Sequence, residues 1–319
     1  MPIVCVLGAT GTQGGSVVEA LLKNPKWQVR GLTRNVNGAA ARRLVSKGVE
    51  VVAADADDEA SLVKAFEVSI FTDGGVTRRA EVFKVGRDGA GEAEKQQALN
   101  IARAAVKTPT LQHYVMSSLP PAGKVSGGKL KVPHFDYKNA AYDWIKDNLP
   151  ELAQKTTQLW LGWYPRNVVF VPMMKFAPMP GSDDAYLLAQ PSKPESVLPS
   201  SDDVNHNTGV MVEGILEAGA KAYGKVAVLV TDYLSWADLA KLWGKVTGKT
   251  AVYAELSDEA FAKVWGVAGE EIGSQFRWSE SFPSWEDVAG EVITFEELGV
   301  KEKLIGTEDL LNSLKAKLV

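Results

Sequence analysis

The sequence predicts an α/β protein with a doubly wound parallel sheet and a smaller C-terminal α+β lobe. Short apolar runs alternate with amphipathic helical patterns over the first 72 residues, and this rhythm continues to about residue 165. Beyond that point, prolines and a polar stretch interrupt the alternation. We therefore expect a sheet domain at residues 1–160 and a partly interleaved lobe at residues 161–319.

The predicted elements of the N-terminal half follow one another as strand, helix, strand. Apolar runs of strand length occupy residues 3–7, 27–32, 49–53, 68–72, 112–117 and 156–162. Helical apolar stripes occupy residues 16–23, 39–47, 61–66, 92–106 and 135–148. Strands joined through helices of this length pair in parallel, which predicts the parallel sheet. In the C-terminal half, the clearest elements are a helix at 210–218 and a strand at 225–230.

Three segments break this pattern. Residues 73–91 are rich in glycine and arginine and show no sustained period, which predicts a long loop that either covers a cofactor or binds a partner. Residues 119–133 combine proline, glycine and lysine, and residues 192–207 are polar. Both of these segments are also predicted as loops.

Composition excludes several classes of protein. The chain has 319 residues, with 35 Lys+Arg against 39 Asp+Glu and a formal net charge of −4, which argues against nucleic-acid binding by the surface as a whole. One cysteine and three scattered histidines (His113, His134 and His206) exclude an internal disulfide and argue against a metal site. No apolar run approaches ~20 residues, and the N-terminus is typical of a strand rather than a signal peptide. We expect a cytoplasmic protein that binds neither a membrane nor nucleic acid directly.

A glycine-rich turn lies between the first predicted strand and the first predicted helix. Its glycines, Gly8, Gly11 and Gly14, have the spacing G-x-x-G-x-x-G. A dinucleotide pyrophosphate needs a tight turn, close backbone approach and the free N–H groups of a helix N-terminus, and this context supplies all three. The alternative is an ordinary glycine-rich turn. We favour the dinucleotide site, which makes the predicted sheet a Rossmann-type sheet.

The turn after the second predicted strand indicates which dinucleotide is bound. An acidic residue there favours NAD, because it accepts hydrogen bonds from the ribose hydroxyls, whereas an arginine accommodates the 2′-phosphate of NADP. The sequence has Arg34 and no acid in this turn. Since a guanidinium binds phosphate through two parallel hydrogen bonds, Arg34 favours NADP. Arg42 and Arg43 either join this site or lie on a solvated surface.

The third predicted strand is followed by acidic residues. Asp55 is positioned where a carboxylate or the neighbouring backbone meets an adenine. These acids are equally suited to cap the next helix, which is the role we favour for Asp57 and Asp58.

Several motifs together resemble those of the NmrA-like family of atypical short-chain dehydrogenases/reductases, which is related to the isoflavone-reductase-like proteins. The matching segments lie at residues 8–17, 33–35, 55–58, 113–118, 134–138 and 186–188. The resemblance covers roughly residues 3–250. It implies a Rossmann domain that binds NADP(H) and a smaller lobe that closes a cleft over the nicotinamide. With the turns described above, it gives these candidate cofactor-binding residues: Gly8, Thr10, Gly11, Thr12, Gln13, Gly14, Arg34, Asp55 and Lys138.

The resemblance also implies a catalytic group, from which this chain departs. Classical short-chain enzymes use Tyr-x-x-x-Lys, in which the two side chains share one helix face and the tyrosine donates a proton. Here Lys138 is present, but His134 stands four residues before it, and Tyr137 should point elsewhere. His134 is a candidate proton donor because imidazoles exchange protons near neutral pH. Ser117, with Ser118, ends the fifth predicted strand and either binds a substrate oxygen or caps the strand.

Aromatic and methionine residues follow the sixth predicted strand, where this fold lines its cleft. They are Trp160, Trp163, Tyr164, Phe170, Met173, Met174 and Phe176. Core packing is the interpretation we favour for the majority of them, with an apolar ligand pocket as the alternative. A second aromatic group modestly strengthens the case for a pocket. It comprises Phe276, Trp278, Phe282 and Trp285.

Two hypotheses about function follow. The first is an NADPH-dependent reductase of a small hydrophobic carbonyl, imine or enone, with Lys138, His134 and Ser117 as its catalytic residues. The second is a non-catalytic NADP(H) redox sensor that regulates a protein partner and is found in the nucleus as well as the cytoplasm. The missing tyrosine favours the sensor, whereas the lysine and the apolar cleft favour the enzyme. The sequence leaves the oligomeric state open.

Overall fold

The computed structural model describes residues 1–66, 69–72 and 79–319, and side chains outside residues 67–85. The strands are β1 (Ile3–Leu7), β2 (Gln28–Thr33), β3 (Glu50–Ala53), β4 (Ser69–Thr72), β5 (Tyr114–Ser118), β6 (Thr156–Leu161), β7 (Ala177–Pro178), β8 (Ala185–Gln190), β9 (Val197–Ser200), β10 (Val226–Leu229), β11 (Asp232–Ser235) and β12 (Thr250–Glu255). The α-helices are α1 (Thr12–Leu21), α2 (Ala39–Ser46), α3 (Glu59–Ala65), α4 (Arg79–Val106), α5 (Ala122–Val125), α6 (Pro133–Asn148), α7 (Pro150–Gln154), α8 (Asn167–Phe170), α9 (Asn207–Ala218), α10 (Trp236–Thr247), α11 (Asp258–Ser281), α12 (Phe295–Leu298) and α13 (Thr307–Ser313).

Within the described residues, seven strands form one parallel sheet in the order β10-β6-β5-β4-β1-β2-β3. The chain runs outward from β1 to β3, returns beside β1 as β4, and then continues through β5 and β6. This doubly wound order confirms the predicted fold class. Its switch point lies between β1 and β4, and ligands of such sheets bind near it, beyond the carboxyl ends of the strands.

The sheet is covered on both faces by helices, and β1 shows how the sequence directs this. Val4 and Val6 point to the layer formed with α1, α2 and α9, whereas Cys5 and Leu7 point to the layer formed with α3, α4 and α6. Successive strand residues face opposite sides, so a strand buried on both sides is apolar throughout. That is why β1 appears in the sequence as a continuous apolar run.

The C-terminal half forms a second layer of structure beside the sheet. A three-stranded sheet has the order β12-β8-β7, and β9 pairs with β11 in antiparallel fashion. A separate apolar core joins α10, α11 and α13 to β8. Strand β10 returns from this half to pair with β6, so the two halves interleave. The boundary near residue 160 stays a prediction.

The prediction of a loop over residues 73–91 is wrong from residue 79 onward, where α4 begins; residues 73–78 lie outside the described residues. The helix is interrupted once, at Gly86, where φ is +76°. Another glycine of this segment, Gly91, serves helix packing. A Cβ placed there would lie 2.1 Å from the ring of Tyr137 on α6. The glycine density therefore marks a close helix–helix approach rather than a loop.

Smaller differences concern the ends of elements. Helix α1 begins at Thr12, four residues before its predicted start at residue 16, because its first turn is polar and rich in glycine and carries no apolar signal. The predicted loop at 119–133 contains the short helix α5, and the polar stretch 192–207 contains β9. Across the described ranges, no helix has the length and apolar character needed to span a bilayer. The same ranges hold no cluster of three or more histidine, cysteine, aspartate or glutamate side chains arranged for a metal ion.

Candidate active site

A cleft of about 340 Å³ opens at the carboxyl edge of the main sheet. Its floor comes from the ends of β5 and β6 and from Gln13 at the start of α1, and its walls come from α4, α6 and α11. The residues that line it are Gln13, Arg87, Ala90, Gly91, Glu94, Ser117, Ser118, Leu119, His134, Phe135, Lys138, Leu161, Gly162, Trp163, Tyr164, Asn167, Val171, Met173, Met174, Ala268, Glu271, Ile272 and Gln275. The cleft brings together four predicted site residues, Gln13, Ser117, His134 and Lys138.

The glycine turn has the geometry that a backbone-lined anion site needs. Gly8 has a φ of +71°, a conformation that favours glycine, and the Gly11 N–H donates to the Gly8 carbonyl at 2.7 Å. A Cβ on Gly14 would lie 2.3 Å from that same carbonyl oxygen, so only glycine fits. The side chains of Thr10 and Thr12 are exposed at this edge. The N-terminal N–H groups of α1 consequently face an open surface.

Gln13 links the glycine turn to the cleft. Its Nε2 donates to the Tyr164 hydroxyl at 2.9 Å, across from the segment that follows β6. Its Oε1 is buried and has no hydrogen-bond partner. A buried, unsatisfied amide oxygen is costly, so this atom is suited to accept a hydrogen bond from a ligand.

Arg34 and Asp55 lie at the same edge of the sheet as the glycine turn, outside the cleft lining. Arg34 is exposed directly after β2, and β2 is hydrogen-bonded to β1 in parallel. Asp55 follows β3, and its Oδ1 accepts the Asp57 N–H at 3.1 Å. The guanidinium is therefore open to solvent beside the turn, whereas the Asp55 carboxylate has a local structural contact.

The acids after β3 divide into one cap and one tertiary contact. Asp58 is the N-cap of α3 and accepts from the backbone N–H groups of Ala60 and Ser61, as predicted. The predicted capping role is wrong for Asp57. Its Oδ1 instead accepts from Gln97 Nε2 on α4 at 2.9 Å, because its side chain faces that helix rather than the start of α3.

Lys138 points into the cleft from α6 and is paired with an acid on α4. Its Nζ lies 2.5 Å from Glu94 Oε1, and the two side chains are only 9% and 11% exposed. Two charges this far from water depend on one another, since either one alone would be expensive to bury. The pair fixes the ammonium group at the wall of the cleft.

His134 lies one helical turn before Lys138 and is paired with an acid from the C-terminal lobe. Its Nδ1 is 2.5 Å from Oε1 of Glu271 on α11, and its backbone N–H donates to the same oxygen at 3.0 Å. Burial acts to raise the pKa of Glu271, but the hydrogen bonds and charge of His134, together with Arg87, hold that pKa below its ordinary value. Glu271 is therefore a carboxylate at neutral pH.

The other ring nitrogen of His134 faces the cleft side of α11. Nε2 lies 3.2 Å from the side-chain oxygen of Gln275, which also lines the cleft. The Nε of Arg87 lies 3.6 Å from the second carboxylate oxygen of Glu271. The His134 ring therefore lies between Glu271 and Gln275 of α11, and Arg87 of α4 places a positive charge beside the Glu271 carboxylate.

Ser117 and Ser118 end β5, as predicted, and both line the cleft while being almost fully buried. The Ser118 hydroxyl has no hydrogen-bond partner. Tyr137, next to Lys138, points away from the cleft, as expected. It packs over Gly91, and its hydroxyl donates to Asp88 Oδ1 at 3.2 Å.

Aromatic residues divide between the cleft and the core. Trp163, Tyr164, Met173 and Met174 line the cleft beyond β6. The expectation that the second aromatic group contributes to a pocket is wrong, because none of its four members lines the cleft. Phe276, Trp278 and Trp285 are buried in apolar cores, and Phe282 stacks on Trp278. These rings fill the space between helices, where burial of large apolar surface stabilises the lobe.

Sequence reasoning missed four polar residues of the site: Arg87, Glu94, Glu271 and Gln275. Arg87 lies in the segment that glycine content assigned to a loop. Glu271 and His134 are 137 residues apart, so no local pattern connects them. The sequence does carry a signal for Glu94: it is an acid on the apolar face of a predicted helix, with no basic residue three or four positions away. In the structure its side chain pairs with Lys138 of α6.

Comparison with known proteins agrees with this fold. The sequence profile of the NmrA-like family matches residues 2–304. The NmrA-like oxidoreductase hkm9 of Aspergillus hancockii is 29% identical over 262 residues, which are 80% of this chain and 75% of that protein.

Two solved structures share the fold. The negative transcriptional regulator NmrA, crystallised with NADP, superimposes with a TM-score of 0.77 at 19% identity over 99% of this chain and 95% of its own. Triphenylmethane reductase of Citrobacter sp., crystallised with NADP(H), gives a TM-score of 0.70 at 20% identity over 98% of this chain and 99% of its own. The chain belongs to the NmrA-like family, whose profile covers nearly its whole length.

Proposed function

We propose that this protein is an NADP(H)-dependent reductase of a small hydrophobic carbonyl, imine or enone. One observation carries the proposal. A single cleft joins the start of α1, through Gln13, to a Lys138–His134 face and an apolar wall. A nucleotide on the glycine turn would extend into this cleft, where a substrate and two proton-bearing side chains would meet it.

The residues at the sheet edge fit the dinucleotide. The glycine turn and the N-terminus of α1 would hold the pyrophosphate, since Gly14 leaves room for backbone approach. Arg34 would bind the 2′-phosphate from its exposed position beside the turn. Asp55 would contribute at the adenine end, and the Gln13 amide oxygen would accept from the ligand. The regulator NmrA and the Citrobacter reductase were each crystallised with this nucleotide.

Bound NADPH supplies a hydride, so the chain must supply a proton to the oxygen or nitrogen of the substrate. His134 is suited to this step because it lines the cleft, where its Nε2 contacts the lining residue Gln275, and because imidazoles transfer protons near neutral pH. Lys138, one turn further along α6, would orient the ribose. The Ser117 hydroxyl would hold the substrate oxygen at the end of β5.

The apolar wall supports a hydrophobic substrate of modest size. Trp163, Met173, Met174 and Ile272 face one another across the cleft, and methionine side chains adapt to ligands of different shape. A volume of about 340 Å³ suits a small organic molecule rather than a polymer.

Nucleotide binding and turnover test the proposal separately. We expect wild-type protein to oxidise NADPH in the presence of at least one member of a panel of hydrophobic aldehydes, imines and enones, and His134→Phe to lose most of that turnover. Arg34→Glu should weaken NADPH about 10-fold or more while changing the affinity for NADH by about 3-fold or less. Lys23→Glu, the same charge change at the opposite end of α1, is its control. Equal losses for both nucleotides would remove Arg34 from the 2′-phosphate site.

A non-catalytic NADP(H) sensor that regulates a protein partner is the second candidate. The specific observation in its favour is that Lys138 and His134 are both engaged by buried acids, as in a site built for rigidity rather than proton transfer. NmrA itself is described as a negative transcriptional regulator. Tight NADPH binding with no turnover on any member of the panel would support the sensor and overturn the reductase. Cytoplasmic or nuclear location stays a prediction.

A further inference from the structure

We propose that Glu271 is the positioning residue for His134, fixing which ring nitrogen carries the permanent proton and directing the other nitrogen into the cleft. This inference rests on the proposed reductase function, because it concerns the proton donor of that reaction. Glu271 lies 137 residues from His134, so no local sequence pattern connects the two.

The contacts of Glu271 identify its role. One oxygen, Oε1, accepts both the His134 ring Nδ1–H and the His134 backbone N–H. Fixing the ring and the backbone of the same residue to one atom leaves the imidazole little freedom to rotate. The side chain of Glu271 is 12% exposed, so water competes weakly for these hydrogen bonds.

The charge of the site fixes the tautomer. His134 holds the pKa of Glu271 down, so the carboxylate only accepts, and the nitrogen facing it must be the donor. The proton at Nδ1 is then permanent, and the transferable proton belongs to Nε2, which lies 3.2 Å from the Gln275 side-chain oxygen. After the transfer, the Gln275 amide would turn to donate an N–H to the bare Nε2. The charged groups nearest this pair are Arg87 on α4, behind the carboxylate, and the Lys138–Glu94 pair one turn along α6.

The proton balance follows from this arrangement. In the proposed reduction, bound NADPH would supply the hydride to the substrate carbon and be left as NADP⁺, while a doubly protonated His134 ring would pass its Nε2 proton to the substrate oxygen or nitrogen. The ring becomes neutral with Nδ1–H still bonded to Glu271, and solvent restores the Nε2 proton. Glu271 stays ionised throughout and does not touch the substrate, which makes it a positioning rather than a catalytic residue.

A purely structural role for Glu271 makes different predictions. The carboxylate also joins α11 to the N-terminal turn of α6, where a negative charge stabilises the helix end. If that were its whole role, its removal would lower stability and leave the tautomer of His134 unchanged. The experiment therefore needs a readout of the ring itself.

Nitrogen-15 NMR of the nucleotide-free protein supplies that readout. The chain has three histidines, so His134→Phe assigns the His134 ring signals by difference. We expect the neutral ring of wild type to carry its proton on Nδ1. In Glu271→Ala the proton should move largely to Nε2, whereas Glu270→Ala, at the exposed neighbouring acid on α11, should leave the tautomer unchanged. An Nε2–H tautomer in wild type, or the same tautomer in both variants, would overturn the proposal.

Kinetics provide the second arm. Glu271→Gln keeps the size of the side chain and removes its charge, so kcat should fall about 10-fold or more. NADPH affinity should stay within about 3-fold, so the loss falls on kcat rather than on nucleotide binding. Glu270→Gln is the matched control.

If wild type binds NADPH but turns over no substrate, the reductase proposal fails while the NMR arm still decides the positioning of His134. If wild type is active and Glu271→Gln matches Glu270→Gln, the positioning proposal alone fails.

Discussion

The candidate site has two walls that are built in different ways. The nucleotide-side wall is the glycine turn beside the cleft, one contiguous segment in which Gly8, Gly11 and Gly14 allow a tight backbone turn and only Gln13 reaches the cleft lining. The opposite wall is assembled from α4, α6 and α11, whose polar residues are 44 to 137 positions apart and meet as two acid–base pairs. The first wall is defined by local stereochemistry and the second by tertiary charge pairing.

This difference determines how each wall should respond to substitution. A side chain added to the glycine turn obstructs the ligand surface and leaves the remaining core intact. Removal of one partner from an acid–base pair leaves a buried charge without its counter-charge, so it lowers the unfolding free energy of the whole molecule. Substitutions in each wall test this difference, and those in the charge-paired wall should have the largest effect.

The largest effect is expected for Lys138→Met. It leaves Glu94 buried without its ammonium partner, which typically costs about 3–5 kcal/mol of unfolding free energy. Chemical denaturation monitored by tryptophan fluorescence measures this directly. Lys146→Met is the matched control on the same helix, because its partner Asp143 is 44% exposed and such a pair contributes about 1 kcal/mol or less.

The double variant Lys138→Met/Glu94→Gln separates charge from packing. With both charges removed, most of the lost stability should return, since two neutral side chains of similar size fill the same space. A double variant as unstable as Lys138→Met alone would show that packing, and not the stranded carboxylate, sets the cost.

The next largest effect is expected for Gly14→Ala, on the wall defined by stereochemistry. Its Cβ would lie 2.3 Å from the Gly8 carbonyl oxygen, so the turn must open and the pyrophosphate surface must change. We expect NADPH affinity to fall about 100-fold, which corresponds to about 2.7 kcal/mol. Isothermal titration calorimetry is the measurement.

Gly15→Ala provides the matched control on the same helix. The added Cβ would lie 3.7 Å from the Ala9 carbonyl oxygen, an ordinary contact. Alanine in place of glycine raises helix propensity by about 1 kcal/mol, so this variant should bind NADPH normally and be slightly more stable. Equal losses of affinity in both variants would break the assignment of the turn to nucleotide binding.

The same difference between local and tertiary construction explains which features the sequence could predict. The six strands predicted for the N-terminal half appear as β1 to β6. β1 is the clearest of them, because a strand buried on both faces leaves a continuous apolar run in a short window. Arg34 follows the second predicted strand directly, and β1–β2 pairing brings the end of that strand beside the glycine turn. Both inferences rest on neighbours in sequence.

The remaining features depend on contacts that no local window contains. Glu271 gains its significance from His134, which lies 137 residues earlier. The loop prediction is wrong around Gly91 because glycines are frequent both in loops and where two helices pack closely. Only the contact with Tyr137, which no local pattern contains, distinguishes the two cases. Trp278 and Trp285 likewise fill a core although aromatic content alone is compatible with a pocket.

A further effect, limited to a range of pH, is expected in the C-terminal lobe at Asp202. This fully buried acid has a φ of +54° and accepts hydrogen bonds from Ser200, Thr231 and Thr307, which joins β9 to the start of α13. Burial raises its pKa to about 7, with Asp232 adding to the rise and the three hydroxyls opposing it. The folded chain therefore keeps this carboxyl protonated at pH values where the unfolded chain has lost the proton.

The sign of the pH effect follows from that difference in proton binding. The stabilisation from Asp202 is complete below about pH 4, falls as the pH rises to about 7, and is constant above it, with a slope of at most about 1.4 kcal/mol per pH unit. Asp202→Asn keeps the shape of the side chain without the titration, so the stability difference between wild type and variant should change only within this window. Denaturation of both proteins from pH 4 to pH 8 measures it, with Asp203→Asn as the neighbouring control. A pH-independent difference would show that the hydroxyl donors keep Asp202 ionised, and that the lobe behind the second wall is also held by a buried charge.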